Sequence, residues 1–290
     1  VQNPPYSAPY LTPEALRTFI QTALAEDVGD GDHSSLAGVP AEARKQARLL
    51  VKDEGVLAGV ALAELIFREV DPALTVTVLL PDGRRVQHGE VALTVEGPAR
   101  SILTAERLVL NSMQRMSGIA TKTAYLTSLI AGTKAKLLDT RKTTPNFRLC
   151  EKWAVLIGGG VNHRFGLFDM IMLKDNHVDY AGGIRPAIEA THAYLRQLGR
   201  ELPIVVETRT LQEVQQVVEV GGITRIMLDN MPPDTMREAL AIVAGRFPTE
   251  ASGGITEHSI RAVAETGVDY ISVGALTHSA AILDLSLKAF

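Results

Sequence analysis

Between Asp139 and His177 the sequence gathers residues able to do chemistry into three clusters. They are Asp139-Thr140-Arg141-Lys142-Thr143-Thr144-Pro145, Gly158-Gly159-Gly160-Val161-Asn162-His163-Arg164 and Lys174-Asp175-Asn176-His177. From Arg141 to His177 the basic residues are Arg141, Lys142, Arg148, Lys152, Arg164 and Lys174, and the acids are only Glu151, Asp169 and Asp175. The whole chain carries a formal net charge of -4, so this is a cationic island in an acidic protein. A small, dense anion is the natural partner of such an island. Any single Lys or Arg is ordinarily a solvated surface charge. Here each cluster follows a short apolar run that reads as a strand.

Further along, Glu207 and Asp229 close two successive apolar runs. Carboxylates so placed suit a hydrated Mg²⁺, which takes one or two carboxylates plus substrate oxygens. Helix capping or a surface position would explain them equally well. The runs Ser252-Gly253-Gly254-Ile255-Thr256 and Ser272-Val273-Gly274-Ala275 place glycines between a strand and a helix. There, backbone N–H groups can approach a phosphate. No His-Glu-x-x-His or paired Cys-x-x-Cys marks a zinc site, and no Gly-Lys-Ser/Thr loop or dinucleotide fingerprint occurs. The residues read as a site for a phosphorylated sugar with Mg²⁺ beside a small polyanion, whose chemistry is mainly charge placement.

The elements that must position these groups form two patterns. In the first part, Thr12 caps and Pro13 starts a helix with Leu16, Phe19, Ile20, Ala23 and Leu24 on its apolar face. The acidic run Glu26 to Asp32 reads as a solvated turn. Strands are expected around Arg48–Val51, Leu74–Leu80 and Val91–Val95, with a helix over Val60–Val70 and a turn at Asp82-Gly83. Helical periodicity then continues from Ala99 for about thirty residues, expected as two helices broken near Ser117-Gly118. From Lys136 a strand–loop–helix unit repeats, with strand ends at Asp139, Leu173, Glu207, Asp229, Ser252 and Gly274. Short strands apolar on both faces belong to a parallel sheet covered by helices. Six units fall short of the eight of a closed barrel, so an open, incomplete α/β barrel is expected, with its site at the C-terminal strand ends.

The hydrophobic content of 46% and the 21% charge are ordinary for a globular protein, and no basic run interleaved with aromatics suggests nucleic acid. One cysteine, Cys150, excludes an intrachain disulfide and points to a reducing compartment. No apolar run is long enough to span a bilayer, and Val1 to Pro5 does not read as a secretory signal. A cytoplasmic location without membrane or nucleic-acid partners is the expectation.

The strings Thr140-Arg141-Lys142-Thr143-Thr144-Pro145, Asn162-His163-Arg164, Leu173-Lys174-Asp175-Asn176-His177, Glu207, Asp229-Asn230 and Ser252-Gly253-Gly254-Ile255 resemble the quinolinate phosphoribosyltransferase family. Ser117 to Thr121 and Arg107 carry the resemblance into the helical region. One departure is Asn146-Phe147-Arg148, where the family usually has Gly-Leu-Arg. The resemblance implies phosphoribosyl transfer from 5-phosphoribosyl-1-pyrophosphate to quinolinate with loss of CO₂. Nicotinate mononucleotide and pyrophosphate are then formed for NAD synthesis, with Mg²⁺ and no organic prosthetic group. It implies an N-terminal α/β sandwich domain (1–115, joined by 277–290) beside an open α/β barrel (116–276), in a homodimer or higher homo-oligomer. Arg107, Arg141, His163, Arg164 and Lys174 would surround the quinolinate carboxylates, Arg107 reaching across the subunit interface. Thr140 lies in the same substrate-binding string. Lys142 and Lys174 would face the pyrophosphate, Glu207 and Asp229 the ribose hydroxyls and Mg²⁺. Ser252, Gly253, Gly254, Gly274, Ala275 and Leu276 would hold the 5-phosphate; Lys142, Lys174, Glu207 and Asp229 are the expected catalytic set. The competing readings are a related phosphoribosyltransferase for nicotinate or another acid, and a non-catalytic phosphosugar-binding barrel.

Overall fold

The structure, a computed structural model, describes residues 7–290; the Pro-rich lead Val1 to Tyr6 lies outside the described residues. The chain divides into two compact units. One runs up to Ala124 and takes in Thr143–Gly159 and Ala275–Phe290; the other comprises Tyr125–Lys142 and Gly160–Gly274.

The first unit begins with helices α1 (Pro13–Val28) and α2 (His33–Gly38). As expected, Thr12 caps α1, its side chain accepting from the Ala15 N–H at 3.1 Å. The acidic run is no open turn. Glu26 and Asp27 extend α1, and Asp32 caps α2 by accepting the Ser35 N–H at 3.0 Å. Then come β1 (Arg44–Val51), β2 (Gly55–Val56), α3 (Val60–Val70), β3 (Thr75–Val78), β4 (Arg85–Val86), β5 (Val91–Pro98) and α4 (Ala99–Leu129). Helix α3 starts at Gly59, which has no capping side chain; the Asp82 carboxylate supplies the cap, accepting from Val60 N at 2.8 Å and Ala61 N at 3.2 Å. The Asp82-Gly83 turn therefore starts the helix as well as the following strand.

Helix α4 is one continuous helix, not two. Ser117 and Gly118 look like breakers but serve close packing. Ser117 Oγ accepts the Ala58 N–H at 2.9 Å, and a Cβ on Gly118 would collide with the Ala281 carbonyl. The sheet has the order β12-β1-β5-β3, where β12 is the C-terminal strand Leu285–Ala289. Leu49, Leu57, Leu62, Ile66, Phe67, Leu93 and Met113 are fully buried at its core. Helix α5 (Arg148–Ile157) belongs to this unit: buried Glu151 accepts from Arg115 at 3.1 Å, and a Cβ on Gly158 would meet the Ala120 carbonyl.

The second unit contains six parallel strands: β6 (Lys136–Leu138), β7 (Ile171–Leu173), β8 (Ile204–Thr208), β9 (Arg225–Asp229), β10 (Thr249–Ser252) and β11 (Tyr270–Ser272). Helices α6 (Asp175–Ala181), α7 (Ile184–Leu198), α8 (Leu211–Val220), α9 (Pro233–Val243) and α10 (Ile260–Ala264) connect them. The short α11 (Ala275–His278) follows β11 in the first unit. The order β6-β11-β10-β9-β8-β7 sets the last strand beside the first and leaves β6 and β7 unpaired with each other. This is the open α/β barrel. On the free edge of β6, Val161 donates to the Leu137 carbonyl at 2.8 Å, and its own carbonyl accepts from Asp139 N at 3.2 Å. That pairing carries Asn162, His163 and Arg164 to the open side.

Candidate active site

The C-terminal ends of the barrel strands hold many of the expected residues. After β6, Thr140 Oγ1 accepts the Lys142 N–H at 3.0 Å, a tight turn that leaves Arg141 and Lys142 exposed. Arg164 is half-buried and donates to the Met170 carbonyl at 3.1 Å. Burial lowers the guanidinium's affinity for its proton, and the neighbouring Arg141 cation adds to the effect, with Asp169 opposing. Two guanidiniums that feel each other's charge favour an anion near them.

After β7, Lys174 precedes α6, and the His177 ring accepts the Lys174 N–H at 3.1 Å. Lys174 Nζ lies 3.8 Å from Glu207 Oε2. Glu207 ends up nearly buried on β8. Burial pushes its carboxyl above the usual range, the Asp229 charge pushes it further, and Lys174 pulls the other way. Asp229 closes β9 and accepts from the Asn230 amide at 2.7 Å. Two like-charged carboxylates at adjacent strand ends fit a divalent cation. Both are hard oxygen donors, and a cation between them would relieve the repulsion. Among the described residues no third His, Cys, Asp or Glu joins them, so remaining positions would fall to water and substrate oxygens.

Beyond β10, Gly253 and Gly254 have φ of 91° and 60°. The constraint at Gly253 is steric as well as torsional: a Cβ there would sit 2.2 Å from Asn230 Oδ1. Gly274 follows β11. Ala275 and Leu276 begin α11, where Leu276 is fully buried and could offer a phosphate only its backbone. Arg107 is exposed on α4 in the first unit.

Two placements differ from the sequence reading. His163, expected as a cationic donor to substrate, turns its ring into the interior, with Nε2 3.3 Å from Glu250 Oε2. Its Nδ1 accepts the Arg164 N–H at 2.7 Å. Lys152, counted in the cationic island, is fully buried in α5. Glu250 was missed. The signal available was an acid inside the short buried strand Thr249-Glu250-Ala251. Asn146, at the departure from the family string, has φ of 61°, a conformation Asn adopts more readily than most residues, and Phe147 packs on Phe19 with ring centroids 5.6 Å apart.

An open parallel barrel with a cationic cluster, a carboxylate pair and a glycine cradle at its strand ends defines a phosphosugar-transferring barrel. Residues 21–117 match the N-terminal domain of quinolinate phosphoribosyl transferase and residues 119–288 its C-terminal domain. The chain belongs to the quinolinate phosphoribosyltransferase family. It is 49% identical to a rice protein named nicotinate-nucleotide pyrophosphorylase [carboxylating], chloroplastic, over 94% of this chain and 77% of that one. A probable nicotinate-nucleotide pyrophosphorylase [carboxylating] of Bacillus subtilis is 41% identical over 94% of this chain and 92% of that one. Among solved structures, NadC from Streptococcus pyogenes superposes with a TM-score of 0.90 at 39% identity, covering 96% of this chain and 97% of that one. A human nicotinic acid phosphoribosyltransferase, at 15% identity and a TM-score of 0.59, shares the fold alone.

Proposed function

We propose that this chain transfers phosphoribose from 5-phosphoribosyl-1-pyrophosphate to quinolinate with decarboxylation, giving nicotinate mononucleotide, pyrophosphate and CO₂. The observation that carries this reading is the placement of two charged groups at the C-terminal strand ends, the cations Arg141 and Arg164 and the carboxylates Glu207 and Asp229, in a chain that matches both domains of the family. A ligand with two adjacent carboxylates answers the first pair, and a Mg²⁺-bearing pyrophosphate answers the second.

In this reading Arg141, Arg164 and Lys174 hold the two quinolinate carboxylates and turn the ring nitrogen toward the ribose anomeric carbon. The glycines after β10 and β11 hold the 5-phosphate. Lys142 neutralises charge building on the departing pyrophosphate. Glu207 and Asp229 would hold Mg²⁺, which supplies charge neutralisation of the same leaving group. The nitrogen lone pair forms the new bond as the bond to pyrophosphate breaks. The ring nitrogen then carries positive charge and stabilises the carbanion left on the adjacent carbon when its carboxylate departs as CO₂. A proton from solvent completes the product. No prosthetic electron sink is required.

The family resemblance supports a homodimer in which Arg107 completes the partner's site. The single cysteine, Cys150, supports a reducing, cytoplasmic setting; no described helix is long and apolar enough to cross a membrane. Nicotinate has one carboxylate and leaves part of the cationic cluster unanswered. The test offers purified protein either quinolinate or nicotinate with phosphoribosyl pyrophosphate and Mg²⁺. Pyrophosphate release with quinolinate and little with nicotinate is expected. Equal release, or release with nicotinate alone, overturns the assignment of substrate.

A further inference from the structure

Beneath the cationic cluster lies a chain of buried polar groups that the proposed chemistry does not use. Glu250 is the second residue of β10, fully buried, and out of reach of any substrate. Its Oε2 lies 2.8 Å from Arg225 and 3.3 Å from His163 Nε2. The Arg225 guanidinium is itself held over the Tyr270 ring, 4.1 Å from its centroid. On its other side the His163 ring accepts the Arg164 N–H through Nδ1, at 2.7 Å. Buried Asp139 completes the arrangement, accepting the His163 N–H at 2.8 Å and the Asn162 amide at 2.6 Å.

Glu250 faces the His163 ring, that ring accepts the Arg164 N–H, and Asp139 accepts the His163 N–H. We propose that Glu250 is a positioning residue: acting through the His163 ring, it fixes the peptide unit from which Arg164 reaches a substrate carboxylate. The proposal rests on the reading of Arg164 as a carboxylate-binding residue. Stability is a weak alternative explanation, since a buried ion pair is often no more stabilising than apolar residues of the same volume. Moreover, Glu250 Oε1 is buried without a hydrogen-bond partner. A group kept at that cost, with its other oxygen aimed at the one ring that holds the Arg164 amide, fits positioning better than packing. A carboxylate 3.3 Å from Nε2 also favours the tautomer that carries its proton on that nitrogen.

Two measurements test this. In protein labelled with ¹⁵N-histidine, His163 is expected to show a protonated Nε2 and a hydrogen-bonded, unprotonated Nδ1 at neutral pH. A proton on Nδ1 overturns the proposal, and this readout requires no variant to fold. Kinetically, Glu250→Gln is expected to raise KM for quinolinate about tenfold, as a small misplacement of a binding group does. KM for phosphoribosyl pyrophosphate should move less than about twofold. Glu250→Asp, which keeps the charge but draws it back, should show the same split if Glu250→Gln does not fold. The double variant Glu250→Gln/His163→Ala should bind quinolinate no worse than His163→Ala alone. Additive losses, or equal rises in both KM values, would show Glu250 to be merely structural. If the wild type turns over no quinolinate, the functional reading fails, while the histidine spectrum still decides the Glu250–His163–Arg164 arrangement.

Discussion

The two ends of the parallel sheet handle charge in opposite ways. At the N-terminal ends, opposite charges meet. Lys134 Nζ lies 2.7 Å from Asp269, and Asp269 also accepts from Thr249 N and Oγ1, each at 2.8 Å. Burial would raise the Asp269 carboxyl, but the Lys134 and Thr249 contacts outweigh it and hold it below the usual range. At the C-terminal ends, charges of like sign gather, Arg141 with Arg164 and Glu207 with Asp229, and Lys174 Nζ lies 3.8 Å from Glu207. The first arrangement is complete within the chain. Barrels place stability at one end and chemistry at the other, and here the division can be read from the signs of the charges gathered at each end.

Substitutions should follow that division. The largest effect is expected at Lys142: Lys142→Ala should lose about a hundredfold or more in kcat, the usual result of removing one preorganised charge donor. Near-normal turnover would make Lys142 a solvated surface cation. Next, Arg164→Ala should raise KM for quinolinate tenfold or more, because a charge-assisted hydrogen bond contributes roughly 1.5–3 kcal/mol. Isothermal calorimetry with quinolinate reads the same loss directly, and unchanged affinity would remove Arg164 from the carboxylate site.

Glu207→Gln separates function from stability. Activity should demand more Mg²⁺, seen as a rightward shift in a metal titration. Thermal stability should move the other way. The folded state raises the Glu207 pKa, so its contribution is present at low pH and lost as pH rises through the folded value. The neutral isostere should therefore melt higher than wild type at pH 7, with the gap closing as pH falls toward 4. An equal or lower melting temperature at pH 7 would mean that the Lys174 contact outweighs burial and the Asp229 repulsion. Asp269→Asn, at the other end, should leave kcat within about twofold while costing roughly 1–2 kcal/mol of stability. The sign is opposite, because the Asp269 pKa is lowered: its contribution is present at neutral pH and lost on acidification. Melting curves from pH 7 down to pH 3 check both.

Much of this division was legible in the sequence, and the misses share a physical cause. Strand-end residues could be located because each apolar run stops at a polar one, as at Leu228-Asp229 and Leu173-Lys174. Helix α3 was legible at both ends, Val60 and Val70, because its apolar face keeps the helical period. What local pattern cannot show is the partner distant in the chain. Gly118 reads as a breaker until the Ala281 carbonyl is found against it. His163 reads as a cationic donor to substrate until Glu250 is placed beside it by β10. Lys152 counts toward the cationic island by residue type, yet it and Glu151 are fully buried. In each case the residue type was visible, and the tertiary contact that set its role was not.

The central claim is that the like-charged clusters at the C-terminal strand ends bind and transform quinolinate. The most direct measurement is release of labelled CO₂ from quinolinate labelled in the carboxylate next to the ring nitrogen. One CO₂ per pyrophosphate is expected, only with phosphoribosyl pyrophosphate and Mg²⁺ present, undiminished in Asp269→Asn and down about a hundredfold in Lys142→Ala. No release from the wild type, or release indifferent to Lys142→Ala, would contradict the account.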